Sequence, residues 1–188
     1  KENKISTQIH QTAIVDSLAQ IDKNVLIGPY AIIENNVHIQ SGTTVAAHTV
    51  IRKYTQIGKN CRIFQHSVIG EIPQDLKYDG EHSELIIGDN TTVREFCTLN
   101  RGTSESKKTE IGNNVLLMAY VHVAHDCRIE DNVILANSVQ LGGHVHIGSH
   151  VIIGGTTPVH QFCKVGEHAM VGGGFRVVQD VPPYILAA

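Results

Sequence analysis

Residues 121–127 read VHVAHDC, with His122 and His125 three apart and Asp126 directly after the second histidine. A neutral imidazole can take up a proton near pH 7, and a neighbouring carboxylate fixes its tautomer and stabilises its cation. The same residue types are also zinc ligands, and a surface histidine needs no role at all. Which of these applies depends on what the fold brings to the three side chains.

The fold is written in a repeat of six residues. Stepping by six from Ile9 to Val177 meets an aliphatic residue at every position except Asp75, Glu81 and Glu105, which fall in two polar stretches, 71–83 and 101–109. Those stretches are expected to be loops. Two residues before each aliphatic lies a second small or β-branched class, including Ala31, Val37, Val121, Val139 and Val145. Alternate residues of a strand share a face, so both classes should point inward. Glycine often follows the aliphatic directly (Gly28, Gly58, Gly112), and asparagine often stands three past it (Asn24, Asn60, Asn114). Both tolerate left-handed turn geometry, so each hexad is expected to supply one short strand and one corner of a parallel β-helix. With three hexads per coil, residues 18 apart stack at roughly 4.8 Å.

This grid sorts the reactive side chains. Cys61, Cys97, Cys127 and Cys163 all fall on the second inward class without a C-x-x-C, so they read as buried fillers rather than ligands or disulfides. None of the twelve histidines falls on an inward class. Val121, Val123 and Cys127 go inside, leaving His122, His125 and Asp126 outside at a coil edge. Gly143 lies one coil above His125 and Gln161 one above that; His144 stacks over Asp126, and His160 lies nearby. A glycine there offers a backbone N–H with no side chain in the way, as a developing oxyanion requires. Base, orienting acid and donor together suit acyl transfer to a hydroxyl. Three histidines around a zinc ion, as in a β-helical hydratase, are the rival arrangement, and a non-catalytic scaffold is a third. One outward column, Leu116, Ile134, Ile152 and Met170, is apolar and needs a partner, which points to a homo-oligomer.

Composition excludes other classes. Eighteen acidic against 15 basic residues do not make a general nucleic-acid binder. No apolar run approaches the length of a membrane span, and the polar start KENKISTQ lacks a signal-peptide core, so a cytoplasmic protein is expected.

The segments IGEIPQDLKY (69–78), HVAHDCRIEDNVILANSVQLGGHV (122–145), VHQFCKVGEHAMVGG (159–173) and QDVPPY (179–184) resemble the UDP-N-acetylglucosamine acyltransferase family of lipid A biosynthesis. That resemblance implies a left-handed parallel β-helix and a homotrimer. It also implies transfer of a 3-hydroxyacyl group from acyl carrier protein to the 3-hydroxyl of UDP-N-acetylglucosamine, with no cofactor beyond the carrier's phosphopantetheine. Residue by residue, it makes His125 the general base, Asp126 its orienting acid and Gly143 the oxyanion-hole amide. His122, His144, His160, Gln161, Asp75 and Lys77 would contact substrate, and Gly173 would limit acyl length. Two departures accompany it: the chain stops at Ala188, where the family continues into a C-terminal helical segment, and Arg176 stands where a small residue is expected.

Overall fold

The computed structural model describes residues 6–188; residues 1–5, the first part of the polar start, lie outside the described residues. The chain winds as a parallel β-helix of 26 short strands in three sheets, with no helix among the described residues. Sheet I has ten strands, including Leu116–Leu117 and Ile134–Leu135, and sheets II and III have eight each. The hexad explains this division. Each aliphatic is the last inward residue of its strand and stacks on its equivalent, as in Leu99↔Val123↔Leu141↔Val159 in sheet II. Ile39, Ile51, Ile57 and Leu99 are wholly buried, each worth about 1.5–3 kcal/mol relative to exposure. The second inward class closes the core between them, and all four cysteines are free and buried there. Burial pushes the Cys97 and Cys127 thiols up to about 12, consistent with inert packing.

The corners correct one expectation. The left-handed residue is the third past the aliphatic, as at Asn24, Asn60, Asn114, Asp126 and His144. Although Gly70 also adopts that conformation (φ 80°), the glycine directly after the aliphatic does not at Gly28, Gly58 or Gly112. It is required by close approach of the next coil: a Cβ at Gly28 would lie 2.9 Å from the Ala47 nitrogen, and one at Gly112 2.7 Å from the Glu130 carbonyl carbon.

The two insertions are shorter than the polar stretches that announce them. Strand Val68–Glu71 pairs through Glu71 with Asn100, and Lys108–Ile111 pairs with Glu84–Ile87, leaving loops 72–83 and 101–107. Both leave sheet II and enter sheet III, at the corner that also carries His125 and Asp126. The apolar column is in register on sheet I, Leu116↔Ile134↔Ile152↔Met170, and Leu186 extends it. Where sheet I turns into sheet II, the rings of Tyr30, His48, His66, Phe96 and Tyr120 stack about 5 Å apart up the corner.

Candidate active site

His125 and Asp126 occupy the turn between strands His122–Val123 and Arg128–Ile129. Neighbours on a strand would point apart. Here the left-handed φ of 60° at Asp126 bends the chain, and the His125 Nδ1 and Asp126 Oδ2 atoms lie 2.7 Å apart. Asp126 is outside the coil, as the grid places it, yet its side chain has no exposed surface, because loop 101–107 folds over it. Oδ1 accepts the Thr103 N–H (2.9 Å) and the Ser106 hydroxyl, while Oδ2 accepts the Thr103 hydroxyl (2.7 Å) and the His125 ring. The Asp126 N–H donates to Thr109 Oγ1 at 2.9 Å.

Burial alone would raise the Asp126 pKa, but donation from Ser106, Thr103 and His125 outweighs it and holds the carboxyl at about 2. A charged carboxylate whose lone pairs are all committed leaves His125 Nδ1 to be the protonated nitrogen and Nε2 to be basic. The depression also links this group to stability. The folded value lies below the ordinary 3.8, so the contribution is present above that pH and is lost as pH falls from 3.8 through 2. It corresponds to about 2 kcal/mol. The stability difference between the unsubstituted protein and Asp126→Asn in denaturant titrations should therefore shrink by about that amount between pH 5 and pH 2.

Gly143 sits on the far side of the imidazole. A Cβ there would lie 2.6 Å from His125 Cε1 and 2.7 Å from Nε2, so only glycine leaves the ring where it is. The N–H groups at this corner position point outward, and elsewhere they find side-chain oxygens: Lys53 donates to Glu34, Asn113 to Asp131 and Ser149 to Glu130. Among the described residues the Gly143 N–H has no acceptor, although Gly143 is itself buried. A position that captures carboxylate oxygens elsewhere in the coil thus leaves an N–H without an acceptor beside His125 Nε2.

Above these residues lies an open cleft of about 500 Å³ lined by Asp75, Lys77, Glu105, His125, His144, Gln161 and Phe162, with Gln74 and Leu76. His144 stands edge-on to His125 (centroids 5.1 Å) and stacks on Phe162 at 4.5 Å. The other expected residues are placed differently. His122 is on the outer face of sheet II, half-buried, with Nδ1 2.7 Å from the Thr98 hydroxyl; burial lowers its pKa. His160 is exposed beside the cleft, its Nδ1 3.1 Å from the Gln161 carbonyl oxygen. Gly173 is at a different corner, between sheets I and II, where a Cβ would meet the Gly155 oxygen at an ordinary 3.4 Å. Arg176 is exposed at the end of the coil.

Residues 18–53 and 108–143 match the bacterial transferase hexapeptide family, a model of six repeats. The chain is 57% identical over 180 residues to the acyl-[acyl-carrier-protein]--UDP-N-acetylglucosamine O-acyltransferase of Sulfurovum sp. (strain NBC37-1), covering 95% of this chain and 69% of that one. It is 52% identical to the enzyme of the same name from Aliarcobacter butzleri, with the same coverage. Its fold superposes on LpxA from Acinetobacter baumannii with a TM-score of 0.94 at 49% identity, covering 95% of this chain and 69% of that structure. The chain belongs to the UDP-N-acetylglucosamine O-acyltransferase family. With this family it shares the left-handed parallel β-helix.

Membership leaves the donor chemistry of the rival metal site to be weighed on its own. His125, Asp126 and His144 present ligand atoms within 4.8 Å of one another. Yet both Asp126 oxygens are already committed to donors on Thr103, Ser106 and His125, and a cation would have to strip these away. The arrangement suits proton transfer better than ligation.

Residue reading missed Thr103, Ser106, Glu105 and Phe162 in this acyltransferase fold. A signal existed: the register Ile69–Ile87 and Leu99–Ile111 puts both insertions directly after sheet II strands, the corner of His125.

Proposed function

We propose that the chain transfers a 3-hydroxyacyl group from acyl carrier protein to the 3-hydroxyl of UDP-N-acetylglucosamine, the first step of lipid A biosynthesis. The observation that carries this reading is the line Asp126–His125–Gly143, in which a buried carboxylate and an uncommitted amide N–H flank a mostly buried imidazole that lines the cleft. His125 Nε2 takes the proton of the sugar 3-hydroxyl as its oxygen attacks the thioester carbonyl. Asp126 stabilises the imidazolium that forms, and the Gly143 N–H holds the oxyanion. Collapse of the tetrahedral species breaks the C–S bond, and His125 returns the proton to the departing thiolate. General-base and oxyanion contributions of this kind are worth about 10²–10⁴ and 10²–10³ respectively.

Asp75 and Lys77 overhang the cleft from loop 72–83 and are assigned to the nucleotide sugar. His122, His144, His160 and Gln161 are assigned to substrate along the same corner, and Gly173, one sheet's width away, to the far end of the acyl chain. The last assignment requires the chain to run along the outer face of sheet II. A second copy would cover that run. The exposed Ile152 and Met170 of sheet I and the ring ladder at its edge with sheet II supply the apolar face a homotrimer needs. The substrates place the reaction in the cytoplasm, and no helix among the described residues is long and apolar enough to cross a membrane.

Mass spectrometry of the product formed from mixed 3-hydroxyacyl carrier proteins and UDP-N-acetylglucosamine tests the reading. A 3-O-acylated nucleotide sugar is expected, and its mass reports the acyl length. Absence of any acylated sugar would overturn the assignment.

A further inference from the structure

We propose that Arg101 and Tyr78 are positioning residues that hold loop 72–83 in register with the base, so that the loop's Asp75 and Lys77 meet the nucleotide sugar. This inference rests on the functional reading above. Its starting point is a cation in an unfavourable place. Arg101 is 4% exposed, and among the described residues no carboxylate lies within ion-pair distance of its guanidinium. Burying an arginine without a counter-ion is costly, and an apolar side chain of similar length would fill the space at lower cost. Its Nε has no protein partner either. What the guanidinium does reach is the loop. One terminal nitrogen donates to the Tyr78 hydroxyl at 3.0 Å and the other to the Lys53 carbonyl at 3.3 Å, with the Tyr54 and Tyr78 rings about 6 Å from its carbon.

Tyr78 is well placed to transmit that grip. Asp75 to Tyr78 form one tight turn, in which the Tyr78 N–H donates to the Asp75 carbonyl at 3.0 Å and the Lys77 N–H to Asp75 Oδ1 at 3.0 Å. The Tyr78 hydroxyl also donates to the Glu81 carbonyl at 3.1 Å, closing the far limb. Asn100, next to Arg101, fixes the near limb by donating to the Ile72 carbonyl at 2.7 Å. Glu81 then ties the two insertions together, accepting the Ser104 N–H at 2.9 Å and the Asp79 N–H at 2.9 Å. The segment that grips the loop through Arg101 therefore grips Asp126 through Thr103 and Ser106 two to five residues later. A single short insertion sets the distance between the loop turn and the catalytic carboxylate.

The test separates loop position from chemistry. Tyr78→Phe removes one hydroxyl and keeps the ring, and Arg101→Met keeps the length and loses the donors. Each is expected to raise KM for UDP-N-acetylglucosamine about tenfold, as loss of a charge-assisted hydrogen bond would, with kcat and KM for the acyl carrier protein within about twofold of the unsubstituted protein. The double variant should fall clearly short of the product of the two single losses, because both remove the Arg101–Tyr78 contact even though each also removes one bond of its own, to Lys53 or Glu81. Arg101→Lys, which can still reach the hydroxyl, should recover part of the loss. Unchanged KM in Tyr78→Phe, or additive losses in the double variant, would overturn the proposal. So would a parallel loss of kcat and both KM values. An unsubstituted protein that makes no product would instead overturn the functional reading on which it rests, so the two failures are distinguishable.

Discussion

Asp126→Asn is expected to lower kcat by about 10²–10⁴ while leaving KM for the nucleotide sugar nearly unchanged. The effect follows from the hydrogen-bond inventory around the side chain. Asp126 accepts four donors, two on each oxygen, and offers none. An amide has one oxygen and one NH₂ group. If the oxygen keeps the Thr103 N–H and the Ser106 hydroxyl, the NH₂ faces the Thr103 hydroxyl and His125 Nδ1. Nδ1 must then become an acceptor, which moves the ring proton to Nε2 and blocks the nitrogen needed as base. If the amide turns the other way, its NH₂ meets the Thr103 N–H donor to donor, and only the Ser106 hydroxyl oxygen can turn to accept from it. Either arrangement disables the base or strains loop 101–107. Steady-state kinetics beside a thermal melt distinguishes the two, since the second lowers the melting point beyond the loss of the carboxylate's own stabilisation.

Gly143→Ala should lower kcat by about 10²–10³, the worth of one oxyanion donor, and should still fold. Its φ lies outside the left-handed region, so alanine meets no backbone penalty there. The cost is local. The added carbon would stand 2.6–2.7 Å from the His125 ring, which must turn away, and turning breaks the 2.7 Å bond to Asp126. The methyl group also crowds the approach to the Gly143 N–H. Kinetics with far-ultraviolet circular dichroism checks both halves: a native spectrum with a large loss of kcat is expected. Full activity would mean that the oxyanion is held elsewhere.

The sequence made the coil legible because its core is periodic. An aliphatic every six residues fixes the strands, and an 18-residue coil places Gly143 over His125 without any coordinates. What periodicity cannot reach is what interrupts it. Thr103 and Ser106 have no hexad position, so the burial of Asp126, which they create, was not readable from the grid, and the carboxylate looked exposed. Register arithmetic is able to bring their loop to the correct corner, but not their side chains to the carboxylate. The glycines after each aliphatic were misread for another reason. Composition gives the residue without the constraint, and close packing of coils demands glycine as strictly as a left-handed turn does. Gly173 shows the opposite case, since counting hexads from Val171 puts it at the sheet I to sheet II corner, away from His125.

The account turns on His125 as the base. The most direct measurement is the rate of 3-O-acyl product formation by His125→Ala beside the unsubstituted protein, at saturating 3-hydroxyacyl carrier protein and UDP-N-acetylglucosamine. The expected result is a loss of about 10²–10⁴ in kcat with a native fold, because alanine abolishes proton uptake and leaves Asp126 and Gly143 in place. Turnover by His125→Ala at the unsubstituted rate would contradict it.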